Sequence, residues 1–146
     1  MESRNLLDIG TPASLVRRVG AMAYDFLLIT ALIILNVIIT ITITQKVVSG
    51  AIFQSILFLE IFGFYSYFWV AKGQTLGMLA WNLKIVNSKG QRLSPKQAML
   101  RFIGGLLALL SCGLGIIWQI FDAHQRNWPD LISGTRILHI PRNKVS

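Results

Sequence analysis

Two apolar runs, Val19 to Thr44 and Val47 to Val70, each carry a single formal charge, Asp25 in the first and Glu60 in the second. They constrain the fold more than any other feature. As a helix at 1.5 Å per residue the first run is about 39 Å long, enough to cross a hydrocarbon core of about 30 Å with tilt. An ionised Asp at mid-span costs about 2.5–3.5 kcal/mol, while each Leu, Ile, Val or Phe returns about 0.3–0.6 kcal/mol. Fourteen such residues lie between Val19 and Ile43, so the span is expected to insert. It is too long for a signal-peptide core and lacks a clear cleavage pattern. By helical rise Asp25 sits about 9 Å beyond Val19, whereas Glu60 lies about 15 Å from the Val70 end, near mid-membrane. Tyr65, Tyr67, Trp69 and then Lys72 close the second run as an aromatic belt. With only Gln45-Lys46 between them, the two runs are expected to form an antiparallel transmembrane hairpin.

A third run, Phe102 to Phe121, is free of formal charge but holds Ser111-Cys112-Gly113-Leu114-Gly115 at its centre. Cation placement bears on whether it crosses or folds back. Arg4, Arg17 and Arg18 precede the first run, and Lys46 lies in the first link. Six more (Lys72, Lys84, Lys89, Arg92, Lys96, Arg101) occupy the long loop, and Arg126, Arg136, Arg142 and Lys144 the tail. Three simple crossings would put the tail cations opposite those of the loop. A fold-back at the glycines collects every Lys and Arg except Lys46 on one side, which the positive-inside bias favours. The third segment is therefore expected to be broken or re-entrant.

The polar parts suggest a small cytoplasmic β element. Leu83-Lys84-Ile85-Val86, Asn87-Ser88-Lys89-Gly90 and Gln91-Arg92-Leu93 read as a short hairpin, and Thr135 to Ile140 as a strand whose partners lie in it. Pairing requires both on one side of the membrane. Ser94-Pro95-Lys96-Gln97 has a cap, a first-turn proline and glutamine at N3, which starts a helix. Thr11-Pro12 reads as another cap and first helical residue.

Composition narrows the function classes. With 53% hydrophobic and 14% charged residues and a mean hydropathy of +0.59, the chain of 146 residues is too apolar for a soluble domain. It is expected to be a single membrane domain, 1–146. A charge of +8 invites a nucleic-acid reading, but the cations flank apolar spans and do not line a soluble face. Cys112, the lone cysteine, stands in apolar surroundings and reads as a packing residue. His124 and His139 are isolated, so no metal set is expected. No nucleophile with its base appears, and Gly73-Gln74-Thr75-Leu76-Gly77 lacks the following Lys-Ser or Lys-Thr of a nucleotide loop. It reads as a turn. No catalytic residue, metal ligand or cofactor site is expected.

What remains is a set of charges in or beside apolar segments. Arg18 and Asp25 are two helical turns apart and share a face. Asp25 leans toward the interface, where Arg17, Arg18 or Arg101 can meet it. Glu60 has Asn36, a threonine or a backbone carbonyl as structural partners, or it faces a vestibule shared with Asp25. Asp122 and Asp130 follow the last run beside Arg126. Either they are solvated and bridge basic residues, or one tucks under the hairpin to join Arg18 and Asp25.

The chain resembles the RDD family of small, mostly bacterial membrane proteins, named for an arginine and two aspartates. The resemblance rests on Arg18 and Asp25, Gly73-Gln74-Thr75-Leu76-Gly77-Met78, the apolar run after Arg101, and Asp122 with Asp130-Leu131-Ile132-Ser133-Gly134-Thr135. Met78 stands where a lysine is more usual, and either Asp122 or Asp130 corresponds to the second aspartate. The resemblance implies a multi-pass protein of the bacterial inner membrane, but no mechanism.

Two functions are weighed. In the first the protein is a minimal ion- or proton-coupled transport component using Asp25 and Glu60, with Arg18 balancing charge and oligomerisation completing the path. In the second it is a non-transporting accessory protein whose basic cytoplasmic face binds anionic lipid or a membrane partner. Both place the N-terminus in the cytoplasm, and the fold-back places the C-terminus there too. Arg18, Asp25, Glu60, Arg101, Asp122 and Asp130 are the candidate polar cluster.

Overall fold

The computed structural model describes residues 6–47 and 49–141. Arg4, Arg142 and Lys144 of the cation count lie outside them, as does Val48. The chain is mostly helical, with a small antiparallel sheet at one end. In order it forms α1 (Leu6–Ile9), β1 (Thr11–Pro12), α2 (Leu15–Thr44), α3 (Ala51–Ala71), α4 (Leu76–Ala80) and β2 (Leu83–Asn87). Then follow α5 (Pro95–Leu110), α6 (Leu114–Ile117) with a 3-10 turn at Trp118–Ile120, α7 (Trp128–Ser133) and β3 (Thr135–His139).

Helices α2 and α3 are long and apolar enough to cross a membrane, and α5 with α6 counts as a third such segment if the bent pair is one span. Beyond Ile29, α2 leaves Leu32, Ile34, Leu35, Ile38 and Ile39 exposed, as α3 leaves Ile52, Ile56, Phe58 and Leu59. α3 packs mainly on α5, where Phe58, Phe62 and Tyr65 surround Phe102. α2 packs on α4 and hardly touches α3. Of the expected aromatic belt, Tyr67 is exposed, but Trp69 is buried in the core.

The third segment breaks where the glycines stand. After Leu110 the chain bends by 113°, with Cys112 at φ 57° and Gly113 at φ 84°. Two successive left-handed residues cannot continue a helix. Cys112 is exposed at this corner, which corrects its reading as a packing residue. The returning arm fits because Gly115 lies against Ala108 and Trp128; a Cβ at Gly115 would stand 2.6 Å from that of Ala108. On α5, Gly104 admits the Pro129 backbone of α7, 2.9 Å from where a Cβ would be.

The β element differs from the expected hairpin. The Asn87 turn forms, with its side-chain oxygen accepting from the Lys89 and Gln91 N–H groups. Residues 91–93, however, make no strand. Leu93 is buried in the core, and Ser94 at once caps α5 with the full reciprocal box to Gln97, so the chain must turn from the sheet into a helix. The partner of β2 is β3, antiparallel, with Ile85 opposite Ile137. The other edge of β3 pairs with β1, giving the order β1-β3-β2. Thr11-Pro12 is thus a strand and not a helix start; Ser14 is the N-cap of α2.

The sheet alternates as a two-sided strand set must. Leu83, Ile85 and Ile137 face the main core with Trp69, Met78 and Phe102, while Val86, Leu138 and Ile140 face α1. The sheet, α4 and α7 therefore gather around the first turns of α2 and α5 and the last turns of α3.

Candidate functional site

Four charged side chains are buried at that end: Arg18, Asp25, Arg101 and Asp130, none more than 4% exposed. α2 places the first two. Arg18, Ala21, Asp25 and Ile29 are its buried residues, one stripe at helical spacing, as the shared face of Arg18 and Asp25 requires.

Asp130 is the centre of one cluster. Its Oδ2 accepts from Arg18 Nη1 at 2.5 Å and its Oδ1 from Arg101 Nη1 at 2.6 Å. Two cations thus share one buried carboxylate. α7 positions it: Asn127 caps the helix by accepting from the Asp130 N–H at 3.1 Å, and Pro129 occupies the first turn. Arg18 also donates from Nε to the Ala13 carbonyl at 3.1 Å and from Nη2 to the Gln125 carbonyl at 2.9 Å. Arg101 Nη1 reaches Thr135 Oγ1 at 2.7 Å, and its guanidinium lies 5.5 Å from the Trp69 ring centre. The cluster ties α2, α5, α7 and the start of β3 into one unit.

Asp25 does not pair with arginine, which corrects the expected contact to Arg17, Arg18 or Arg101. Arg18 is already engaged by three other acceptors, and two helical turns put it about 10.5 Å of rise from Asp25. Instead Asp25 Oδ2 accepts from Thr75 Oγ1 at 2.5 Å and Oδ1 from the Gly77 N–H at 2.9 Å. Both oxygens act as acceptors. Thr75 also caps α4, its hydroxyl accepting from Met78 N–H. Gly77 is required because a Cβ would run into the Ala21 carbonyl. The segment read as a plain turn is therefore a dock for α2. Thr75 and Gly77 were missed as partners of Asp25; a capping threonine followed two residues later by glycine was the available signal.

The other two carboxylates of the candidate cluster stand apart. Glu60 is half-buried and accepts from Asn36 Nδ2 at 3.4 Å, a bond linking α3 to α2. Asp122 forms a local pair with Arg126, 3.1 Å from Nε to Oδ2, and accepts from the Arg126 and His124 N–H groups. The Arg126 bonds, side chain before backbone, hold the Asp122 carboxyl well below the usual carboxylate range and push the Arg126 guanidinium up. At the sheet, burial and then the charge of Arg17 lower the His139 imidazole. Of the two late aspartates, Asp130 is the one that joins Arg18.

A cavity of about 200 Å³ lies between α2, α3, α4 and α5. Arg18, Asp25, Thr75, Arg101 and Asn127 supply its polar wall; Met22, Ile61, Phe102 and Leu106 are among its apolar residues. Glu60 and Asp130 do not line it. The shared vestibule for Asp25 and Glu60 is thus absent from the described residues. No group of three or more His, Cys, Asp or Glu side chains that could hold a metal occurs among them.

Comparison with known proteins adds one match. No curated protein and no solved structure matches the chain. A family model described as RDD family matches residues 12–134, a stretch that contains Arg18, Asp25, Thr75, Gly77, Arg101 and Asp130. With most of its length matched, and its arginines and aspartates gathered at one end of apolar helices, the chain belongs to the RDD family.

Proposed function

We propose that this is a multi-pass protein of the bacterial inner membrane with both termini cytoplasmic, acting as a non-transporting accessory that binds anionic lipid through its basic face. Exposed apolar surface on α2 and α3 supports the membrane placement. The pairing of β1 with β3 supports a common side for the N-terminal segment and the tail. The 113° bend supports a re-entrant third segment, the N–H groups of Ser111, Cys112 and Gly113 all bonding to carbonyls of α5 at the corner, as hydrocarbon demands.

One observation favours the accessory role over transport: the carboxylates are engaged separately. Asp130 is held by two arginines, Asp25 by Thr75 and Gly77, and Glu60 by Asn36 outside the cavity. A relay needs groups that share a wet path. Meanwhile Lys72, Lys89, Arg92, Lys96 and Arg136 are exposed at the sheet end, where each basic residue near an anionic surface contributes about 1 kcal/mol.

The test is lipid retention. Protein extracted from bilayers containing phosphatidylglycerol is expected to carry that lipid in native mass spectra, and to lose it when Lys72, Lys89, Lys96 and Arg136 are all changed to Gln. Unchanged retention would overturn the reading. The second reading, an ion- or proton-coupled component, draws on Asp25 lining the cavity with two arginines. It requires proteoliposome flux that Asp25→Asn abolishes in a folded protein.

A further inference from the structure

The cavity and the charges around it have a chemistry that the basic outer face does not explain. Arg101 borders the cavity, is 4% exposed, and makes all its protein hydrogen bonds from Nη1 among the described residues. Its Nε and Nη2 donors are left for something inside, with Trp69 covering one face of the guanidinium. Asp25 borders the same space, and its partners there are neutral: a hydroxyl and a backbone N–H. Each carboxylate oxygen has further lone-pair capacity. Beyond Arg18, Thr75 and Asn127 the lining is largely apolar, and α2 and α3, which both border the space, do not pack along their length.

Charge decides what fits. Arg18 and Arg101 balance Asp25 and Asp130, so the four groups sum to zero. Adding a lone anion or a lone cation to a low-dielectric space would leave an uncompensated charge. A guest with one anionic and one ammonium group adds none. It satisfies the free guanidinium edge and the carboxylate together.

The volume also discriminates. At about 30 Å³ per water the cavity holds roughly seven waters, less than the 300–1,000 Å³ of drug-sized sites. It suits a headgroup and the first part of a chain, with the remainder passing between α2 and α3.

We propose that this cavity binds the headgroup of a zwitterionic amphiphile, its phosphate at the free edge of Arg101, its primary ammonium at Asp25 and its chain against Phe102 and Leu106. The proposal shares the membrane placement given above but not the role of the exposed lysines and arginines.

The test is binding to detergent-solubilised full-length protein of four probes. They are lysophosphatidylethanolamine, its trimethylated choline counterpart, lysophosphatidylglycerol and soluble phosphoethanolamine. The ethanolamine amphiphile should bind saturably and about tenfold more tightly than the choline form, which lacks ammonium N–H donors, and than the glycerol form. Gly105→Leu is the blocking variant: Gly105 lines the cavity, and a Cβ there meets nothing within 4 Å. It should lower affinity about tenfold or more with the fold intact. Asp25→Asn should reverse the preference toward the glycerol headgroup.

Equal binding of soluble phosphoethanolamine would overturn the chain contact. Preference for the glycerol form in the wild type, or tight binding that survives Gly105→Leu, would overturn the site. So would no binding at all. The quadruple Gln variant of the outer face should bind the ethanolamine amphiphile as the wild type does; loss there would assign the binding to the surface.

Discussion

Asp122 and Asp130 lie eight residues apart, and each bonds to arginine, yet they belong to different kinds of structure. Asp122 meets Arg126 four positions away, on a partly exposed connection. Asp130 meets Arg18 and Arg101, 112 and 29 positions away, and is 1% exposed. The local pair forms because the chain is short there, and solvent screens it. The distant one exists only when α2, α5 and α7 are all docked, so its two bonds report the assembled fold. A buried pair is weak evidence of net stabilisation over an apolar replacement, but breaking it strands a charge.

That contrast is broken most directly by Asp130→Asn, which leaves two guanidiniums buried without their carboxylate. The expected loss is about 3–5 kcal/mol, read as a fall in thermal midpoint in detergent or as failure to accumulate in the membrane. Adding Arg101→Met should recover part of it by removing one stranded cation. A double variant no better than the single would show that the charge is not what destabilises.

Asp25→Asn should cost less, about 1–3 kcal/mol, because the amide keeps one acceptor for the Thr75 hydroxyl or the Gly77 N–H. Thermal unfolding and proteolysis near Gly77 would measure it. A loss as large as that of Asp130→Asn would mean that docking of α4 matters as much as the arginine cluster.

His139 tests the sheet that brings α7 and the tail to the site. Its imidazole is lowered from 6.5 by burial and by Arg17, so the folded state binds fewer protons than the unfolded one. Its contribution is therefore present above pH 6.5 and fades as pH falls below it. Thermal midpoints should decline slightly over that range, and His139→Gln should flatten the slope. An unchanged slope would place the pH dependence elsewhere.

The smallest effect is expected at Asp122→Asn. The carboxyl is held low by Arg126, so its contribution is present above pH 3.8 and lost only as acid protonates it, and solvent screening discounts it throughout. Midpoints at neutral pH should match the wild type. A fall approaching that of Asp130→Asn would erase the distinction between the two aspartates.

Much of this arrangement is legible in local pattern. The apolar runs mark α2 and α3, and the Ser94 capping box forms as its residues require. The break at Ser111 to Gly115 and the tail strand beside residues 83–87 follow from glycine spacing, cation placement and the instability of a lone strand. The hairpin expected at 83–93 does not form, because its second arm is polar and extended in pattern only, and burial of Leu93 and the cap at Ser94 prevail. The packing role given to Cys112 failed for a related reason: apolar neighbours in sequence do not bury a residue at a sharp corner.

Residue order by itself determined the long helices α2, α3 and α5, the break after Leu110, and that Arg18 and Asp25 share a face of α2. Those are consequences of periodicity, capping and backbone freedom within a few residues. Only the tertiary structure decided that the two residues do not serve each other. Arg18 turns to an aspartate 112 positions away, and Asp25 to a hydroxyl and a backbone N–H. The reason is physical: a backbone donor has no sequence signature, and a carboxylate's partner is set by which elements pack beside it.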